Sequence, residues 1–309
     1  MRDAITLRQV TKRFGSVAAV QDVSLAVPAG SIYGFIGPNG SGKTTTLRMI
    51  MHIILPDEGE VEVLGSRDTA AARDQVSYLP EERGLYKKMT ARRLLRYYAK
   101  LKGRAQREID PAIDEWMQRM ELPGVLDRPI ETLSKGMSQK VQFVSAVISN
   151  PSLLILDEPF SGLDPVNAQV LKDAVLEMRR RGTTIVFSTH DMGTAEKMCD
   201  RIFMIFKGRK VLDGTLHEIQ EQYGADTVRV KTALGATALS DLPEVESVND
   251  FGQLQELRLK GDPQAFLQRL VARTSIYHFE VTRPSLQDIF VRIARPDLAG
   301  QELAGTAAT

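Results

Sequence analysis

Residues 35–46, Phe-Ile-Gly-Pro-Asn-Gly-Ser-Gly-Lys-Thr-Thr-Thr, have the composition of a loop that binds phosphate groups. Gly37, Gly42, Lys43 and Thr44 match the pattern G-x-x-x-x-G-K-[ST]. Glycine is needed because a loop that turns several backbone N–H groups toward one anion passes through conformations that are costly for other residues. The Lys43 ammonium supplies a positive charge for the β- and γ-phosphates, and the Thr44 hydroxyl is suited to bind Mg²⁺.

The residues on either side of this loop predict the elements that position it. Residues 31–36 form a short apolar run typical of a buried strand, and residues 45–54 have the pattern of a helix. A helix that starts at the loop directs the positive end of its dipole toward the same anion. Strand, loop and helix in this order favour phosphate binding over a glycine-rich turn with a chance lysine.

Two carboxylates follow a second apolar run. Residues 153–156 are uniformly apolar, as expected of a parallel strand buried on both faces, and Asp157 and Glu158 come directly after them. Buried carboxylates are costly unless a cation or a reaction uses them. Open parallel sheets bind ligands at the edge where their strands end. A further apolar run at 183–188 ends near His190, so we expect His190 at the same edge.

The segments around these runs predict an antiparallel pair of strands and a helical region. Apolar and polar residues alternate over 4–27, with Phe14 beside a turn glycine. The ring of Phe14 can stack on a nucleotide base or simply end a strand. Residues 90–120 have a helical pattern, and Ser134 is placed as the N-cap of a further helix. The apolar side of the 90–120 segment contains Leu94, Leu95, Tyr98 and Leu101.

Length and composition are those of an ordinary globular protein. The 309 residues suffice for one large domain and a small second one, with 43% hydrophobic and 26% charged residues. A net charge of +1 is unlike that of a general nucleic-acid-binding protein. Cys199 is the only cysteine, which excludes a disulfide within the chain. No apolar run approaches the roughly 18 residues of a membrane helix, so at a membrane we expect another chain to hold this one.

The composition changes near Gly214, and the pattern beyond it predicts a separate α+β domain at 221–298 after a first domain at 1–220. Ser285 and Asp288 have capping-box spacing at the start of the last helix. The tail at 299–309 is expected to be disordered. The expected strands are 227–230, 253–259 and 277–281, and the expected helices are 262–273 and 285–295.

The motifs taken together resemble those of ATP-binding subunits of ABC transporters. The phosphate loop, Ser134-Lys-Gly-Met137, Asp157-Glu158, Ser161-Gly-Leu-Asp164 and His190 follow one another in the family's order over residues 1–220. Arg283-Pro-Ser-Leu-Gln-Asp-Ile-Phe290 is similar to the accessory domain of bacterial exporter ATPases related to sodium-efflux subunits. The resemblance implies an α/β fold. It consists of a P-loop NTPase core with a parallel sheet, an antiparallel β subdomain, a helical subdomain at about residues 87–150 and the small C-terminal α+β domain.

The resemblance also implies ATP binding and hydrolysis with Mg²⁺ by two subunits paired head to tail. Glu158 would polarise the attacking water, with Lys43 and His190 as the other catalytic residues. The metal-binding residues would be Thr44, Asp157 and Glu81. The residues expected to contact nucleotide are Phe14, Gly37, Pro38, Asn39, Gly40, Ser41, Gly42, Lys43, Thr44, Thr45 and Glu81, with Ser134 and Gly136 acting on the ATP of the opposite subunit.

Two positions depart from the family pattern. Glu81 stands where a glutamine is usual after the Tyr-Leu-Pro strand, and a carboxylate can ligate Mg²⁺ but donates no amide hydrogen. The signature, usually Leu-Ser-Gly-Gly-Gln, reads Leu-Ser-Lys-Gly-Met at 133–137. Met137 removes one polar contact, and Lys135 either faces phosphate or points into solvent.

On this resemblance we expect the energy-coupling subunit of an exporter, cytoplasmic and peripheral on the inner face of the cell membrane. Its partners would be an integral membrane permease and a second ATPase subunit, in a homodimer or a pseudo-symmetric heterodimer, with no nucleic acid. The alternative is a soluble ABC ATPase that acts on ribosomes or DNA. Such proteins carry two cassettes or a long coiled coil, and this chain has neither. A small-molecule P-loop kinase would leave Ser134-Lys-Gly-Met137 and His190 without a role.

Overall fold

The chain divides into two units, Met1–Asp213 and Gly214–Thr309. The structure, a computed structural model, describes residues 3–67, 73–82, 84–224, 227–239 and 241–294. The tail predicted to be disordered at 299–309 lies outside these residues. None of the helices within the described ranges combines the length and hydropathy needed to cross a membrane.

A six-stranded sheet forms the centre of the first unit. Its strands, in spatial order, are β5 (Val76–Leu79), β6 (Leu153–Asp157), β7 (Thr184–Thr189), β3 (Ile32–Ile36), β8 (Arg201–Phe206) and β9 (Arg209–Gly214). Neighbours from β5 to β8 run parallel. The middle strands β6, β7 and β3 are buried along their whole length, as their continuous apolar runs predict. Their carboxyl ends lead into the phosphate loop, Asp157 and His190 at one edge of the sheet.

A three-stranded antiparallel sheet covers one face of this central sheet. It is formed by β1 (Asp3–Phe14), β2 (Val17–Pro28) and β4 (Glu58–Val63) in the order β2-β1-β4. Its apolar side shares a core with α1 (Lys43–Ile50) and with the central sheet, through residues such as Leu7, Val27 and Phe35. The two sheets therefore hold the phosphate loop between them.

Helices cover the opposite face. They are α2 (Ala91–Leu101), α3 (Gln106–Arg119), α4 (Lys135–Val147), α5 (Pro165–Arg180) and α6 (Met192–Met198). Trp116 and Phe143 lie in the core that joins these helices to the apolar side chains of β6 and β7. Ser134 caps α4 as predicted, since its Oγ accepts the backbone N–H of Met137 at 3.3 Å. The predicted combination of parallel sheet, antiparallel β subdomain and helical subdomain is confirmed.

Two helix predictions were wrong in extent. The helix expected at 45–54 ends at Ile50, because His52 takes a left-handed φ of 50° and closes a Schellman cap. In this cap the N–H groups of His52 and Ile53 reach back to the carbonyls of Met49 and Arg48.

The single helix expected at 90–120 is two helices, α2 and α3. Gly103, at φ 73°, ends α2 with the same pattern of capping hydrogen bonds, to Lys100 and Ala99. Leu101, expected on the apolar side of the helix, is consequently 62% exposed.

The second unit is a four-stranded antiparallel sheet with helices, the α+β fold predicted for the C-terminal part. Its strands are β10 (Thr227–Thr232), β11 (Val245–Asp250), β12 (Gln255–Leu259) and β13 (Ile276–Thr282), in the order β11-β12-β10-β13. Its helices are α7 (Leu216–Gln222), α8 (Pro263–Arg273) and α9 (Leu286–Ala294). Phe266 and Leu270 of α8 pack on Val228, Val230 and Leu257.

The details of this unit differ partly from expectation. The predicted capping box of α9 is confirmed, since Ser285 N–H donates to Asp288 and Asp288 N–H donates to Ser285 Oγ. The sequence patterns missed α7 and β11. The β11 sequence, Val-Glu-Ser-Val-Asn-Asp, has only two apolar residues and no strict alternation, so it does not stand out as a strand.

Candidate nucleotide-binding site

The phosphate loop packs tightly against strands β2 and β8, so that two of its positions accept only glycine. A Cβ on Gly37 would lie 2.3 Å from the carbonyl oxygen of Ile205, and a Cβ on Gly42 would lie 2.5 Å from that of Ala19. Both residues also have left-handed φ values, 152° and 112°. Strands β2 and β8 therefore fix the curvature of the loop.

The loop presents hydrogen-bond donors that lack protein partners. Gly42 is the N-cap of α1 and provides no capping side chain, so the first N–H groups of the helix remain available to an anion. The buried Ser41 hydroxyl has no hydrogen-bond partner among the described residues. The start of α1 borders a cavity of about 280 Å³, whereas Ser41 is not among its lining residues. Its lining is Ala19, Asn39, Gly40, Gly42, Lys43, Thr44, Thr45, Glu81 and Glu158.

The Lys43 ammonium is held inside the loop. It is 6% exposed, and its Nζ donates to the carbonyl oxygens of Gly37 at 2.8 Å and Pro38 at 3.2 Å. Burial lowers the pKa of Lys43, while the nearby Glu158 carboxylate, at 3.9 Å, acts in the opposite direction. A phosphate group can replace the two weak carbonyl contacts with a full opposite charge.

Asp157 ends β6 and is almost completely buried, at 2% exposure. Its Oδ1 accepts hydrogen bonds from Ser188 Oγ at 2.5 Å and from Thr44 Oγ1 at 3.3 Å. The Tyr78 hydroxyl donates to Oδ2 at 3.3 Å, and burial together with this carboxylate raises the pKa of Tyr78 to about 12. All three partners are neutral hydroxyls, so the negative charge of Asp157 is available to a cation.

The donor set around Asp157 fits Mg²⁺. The described residues contain no group of three or more His, Cys, Asp and Glu side chains that could hold a metal by themselves. Mg²⁺ in nucleotide sites commonly takes only one or two protein ligands and completes its shell with phosphates and water. Thr44 and Asp157 at the mouth of the phosphate loop are suited to that mode.

Glu158 lies next to Asp157 with its carboxylate turned toward the phosphate loop. It has a left-handed φ of 49°, which is uncommon for a residue with a side chain. Its N–H donates to Ser188 Oγ at 3.0 Å, and its Oε1 lies 3.0 Å from His190 Nδ1. His190 follows β7 and has an exposed side chain. Glu158 and His190, two of the three predicted catalytic residues, are thus in direct contact.

A second cavity of about 220 Å³ adjoins the first, with Glu81 and Glu158 in both linings. Gln139 and Gln142 of α4 secure its walls, because their amides donate to the carbonyls of Pro159 at 2.5 Å and Glu82 at 3.3 Å. Its remaining lining residues are Leu79, Pro80, Lys135, Asp157 and Ser161.

Lys135, whose role the sequence leaves open, lies along the loop that follows β6. The Lys135 Nζ lies close to Gly162, because a Cβ added to that glycine would be 2.4 Å from it. In the single chain the ammonium therefore borders the second cavity and the Gly162 backbone.

Six residues predicted to contact nucleotide line neither cavity. Gly37, Pro38 and Ser41 belong to the phosphate loop, and the other three lie outside it. Phe14 lies at the β1–β2 hairpin, 53% exposed, with Lys12 Nζ 5.7 Å from its ring. Ser134 caps α4, and Gly136 approaches the side chain of Asn167. Their predicted roles concern a base or a second subunit and remain predictions.

The sequence patterns missed several residues that shape the site. Ser188, Tyr78 and Gln139 support Asp157 or the segment after Glu158, and Ala19 approaches the phosphate loop. Ser188 could have been found, because it ends the same apolar run that leads to His190.

Comparison with known proteins agrees with this geometry. A family model described as ABC transporter matches residues 20–161, and one described as ATP-binding protein DrrA1-3-like, C-terminal domain, matches residues 214–294. The chain is 38% identical to the uncharacterized ABC transporter ATP-binding protein YhaQ of Bacillus subtilis, over 93% of this chain and 97% of that protein. It is 32% identical to the Nod factor export ATP-binding protein I of Sinorhizobium fredii, over 94% of this chain and 85% of that protein.

Solved structures agree as well. A structure described as the ATP binding subunit of an ABC transporter has a TM-score of 0.67 and 32% identity, over 72% of this chain and 93% of that one. The structure of cbiO1 from Clostridium perfringens, at a TM-score of 0.65 and 22% identity, shares the fold. The chain therefore belongs to the family of ABC transporter ATP-binding proteins. It is an ATP-binding, ATP-hydrolysing subunit of such a transporter.

Proposed function

We propose that this subunit powers export through a separate membrane permease, using Lys43, Asp157, Glu158 and His190 as its hydrolytic centre. The observation that carries the proposal is the convergence of these side chains at the phosphate loop, with Glu158 3.0 Å from His190 and 3.9 Å from Lys43. Export is supported by the resemblance over nearly the whole chain to Nod factor export ATP-binding proteins.

Binding of ATP would begin at the phosphate loop. The unpartnered N–H groups at the start of α1, the Ser41 hydroxyl and the Lys43 ammonium would hold the β- and γ-phosphates. Mg²⁺ would neutralise charge on these phosphates, and the residues that would hold it are Thr44, Asp157 and Glu81. The hydroxyl of Ser188 would keep Asp157 in place.

Hydrolysis would use Glu158 as the general base. Its carboxylate would accept a proton from the attacking water, whose oxygen bonds to the γ-phosphorus as the bond to the β–γ bridging oxygen breaks. His190, in contact with Glu158, would orient that carboxylate and contact the γ-phosphate. The Glu158 N–H bond to Ser188 would hold the base in its left-handed conformation.

Two subunits would complete the site. Ser134 and Gly136 would cap the ATP bound by the opposite subunit, and Phe14 would stack on adenine. Phe14 and Ser134 are exposed in the single chain, which supports roles that need a base or a second subunit. The pair would lie on the cytoplasmic side of the membrane, bound to the permease.

The adjacent carboxylates give the sharpest test of the centre. Asp157→Asn should weaken Mg²⁺-dependent nucleotide binding, because it removes the buried charge beside Thr44. Glu158→Gln should retain binding and slow hydrolysis by about 100-fold or more, the scale of a lost general base. ATP binding by fluorescence titration and phosphate release would be measured on both. Parental turnover in Glu158→Gln would exclude it as the base and make Glu81 the next candidate.

The transport role is tested separately. We expect the chain to co-purify with a polytopic membrane protein, and ATP hydrolysis to rise when both are reconstituted in vesicles. Purification from lysate with only ribosomes or DNA would favour the soluble alternative. That result would leave the hydrolytic centre untouched.

A further inference from the structure

Strand β13 forms an open edge of the C-terminal sheet. It pairs with β10 on one side, and no strand pairs with its other side among the described residues. Its side chains near that edge are exposed, including Tyr277 at 68% and Val281 at 49%. An edge strand with exposed apolar side chains is a template for pairing with another strand.

The sequence of β13, Ile-Tyr-His-Phe-Glu-Val-Thr, is complementary to itself in antiparallel register. With Phe279 at the centre, His278 lies opposite Glu280 of a second copy, and Tyr277 lies opposite Val281. Ile276 of one copy then lies opposite Thr282 of the other. Directly opposed residues point to the same face of a sheet, where opposite charges and aromatic–β-branched pairs are stabilising.

From this complementarity we infer that two copies of the chain associate through β13, in the absence of nucleotide, and form one continuous antiparallel sheet. His278 Nε2 lies 3.5 Å from Glu280 Oε2 within one chain. Across the two-fold axis, the two histidines and two glutamates would alternate in a square. A histidine N–H can donate to a carboxylate whether the ring is neutral or charged.

The other edge of the sheet, β11, has the opposite character. Centred on Val248, a self-paired β11 would place Glu246 against Asp250, two like charges. Its Ser247 and Asn249 are exposed and polar. Like charges directly opposed are destabilising, and such residues protect natural edges from pairing. In this register the β11 edge is therefore less suited than the β13 edge to pairing with a second copy.

Light scattering of the full chain without nucleotide tests the inference. The parent should approach twice the chain mass of 34.3 kDa over a concentration series. His278→Glu should be monomeric, because the new glutamate of each copy would lie opposite Glu280 of the other copy, and like charges would then face each other at both pairs. This variant should still fold, since residue 278 faces Lys231 of β10 within the sheet. Ser247→Lys on β11 is the matched control and should dimerise like the parent.

A mixing experiment tests the register. Glu280→Lys alone should also be monomeric, because it removes the acceptor for the His278 ring. Mixed with His278→Glu it should give a heterodimer, because the new glutamate of one chain then faces the new lysine of the other, and the remaining Glu280 faces the remaining His278. If Glu280→Lys fails to fold by circular dichroism, the Tyr277→Cys/Val281→Cys variant replaces it and should form disulfide-linked dimers on oxidation. A monomeric parent, or an unaltered dimer in His278→Glu, would overturn the inference.

Discussion

The two units each bury one glutamate to the same extent and surround it differently. Glu158 and Glu256 are both 8% exposed. In the first unit, Glu158 contacts the His190 imidazole at 3.0 Å and has the Lys43 ammonium at 3.9 Å. In the second unit, Glu256 accepts Nε–H of Arg229 at 2.9 Å. The glutamate of the first unit thus lines a cavity, whereas the glutamate of the second unit forms an ion pair with an arginine.

The partners of the two glutamates separate a buried charge used for chemistry from one used for the fold. An arginine is permanently charged and saturates a carboxylate with directed donors, which leaves little capacity for a ligand. Among the described residues Glu158 has no arginine partner, and its neighbours are themselves able to contact phosphate. Substitutions at the two sites should accordingly change hydrolysis in one unit and stability in the other.

The largest effect is expected from Lys43→Ala. Of the described residues that line the cavity at the phosphate loop, Lys43 alone carries an ammonium group, and this change removes it. Charge-assisted hydrogen bonds contribute about 1.5–3 kcal/mol each, so ATP affinity should fall by about 100-fold and hydrolysis should be lost. Isothermal titration with ATP and Mg²⁺ measures the first effect, and phosphate release measures the second.

Lys260→Ala provides the matched control for that change, since Lys260 is exposed and belongs to the second unit. It should bind and hydrolyse ATP like the parent. Parental binding in Lys43→Ala would mean that the loop does not hold the phosphates of ATP.

Ser188→Ala should have an intermediate effect. The Ser188 hydroxyl donates to Asp157 and accepts the N–H of Glu158, so its loss loosens both carboxylates without removing either. A positioning residue of this kind should lower kcat by about tenfold, the scale of one lost hydrogen bond to a charged group. The Mg²⁺ concentration for half-maximal activity should rise as well.

Ser188→Thr retains the hydroxyl and should restore most of the lost activity and Mg²⁺ affinity. A purely structural role predicts instead that both variants lower the melting temperature and leave the Mg²⁺ dependence unchanged. Metal titrations of the three proteins distinguish these outcomes.

Site residues that are contiguous in the chain could be predicted from the sequence, whereas contacts that cross the sheet could not. The phosphate loop could be predicted because its chemistry requires residues that are contiguous in the chain, from Gly37 to Thr44. Asp157 and Glu158 could be predicted because a buried strand that ends in two acids needs a reason for them. Ser188 and Tyr78 were missed because their relation to Asp157 depends on which strands are neighbours.

The errors in the fold have a similar cause. The 90–120 segment has helical periodicity throughout, but the left-handed Gly103 stops α2 and turns the chain. Strand β11 is specified by its pairing with β12 rather than by its own polar composition. Both features depend on contacts that a single-sequence pattern does not contain.

The smallest effect is expected from the pH dependence of the second unit. Burial raises the pKa of Glu256 above 4.5, opposed by the Arg229 hydrogen bond and reinforced by the Asp288 charge. The folded chain therefore holds a proton on Glu256 to a higher pH than the unfolded chain does. The resulting stabilisation is complete below the unfolded value of 4.5 and is lost as the pH rises through the raised, folded value.

Glu256→Gln should remove this dependence, because an amide of nearly the same shape does not titrate. Hydrogen exchange in β10 and β12, corrected for the intrinsic effect of pH, reports the opening free energy of this unit. As the pH rises above 4.5, protection in the parent should fall relative to Glu256→Gln. Glu246→Gln is the matched control and should track the parent. Glu246 also pairs with an arginine, Arg258, but its side chain is more exposed than that of Glu256. Identical pH profiles for the parent and Glu256→Gln would show that Glu256 is ionised to the same extent in both states. That result would mean that the Arg229 ion pair offsets the cost of burying the Glu256 charge.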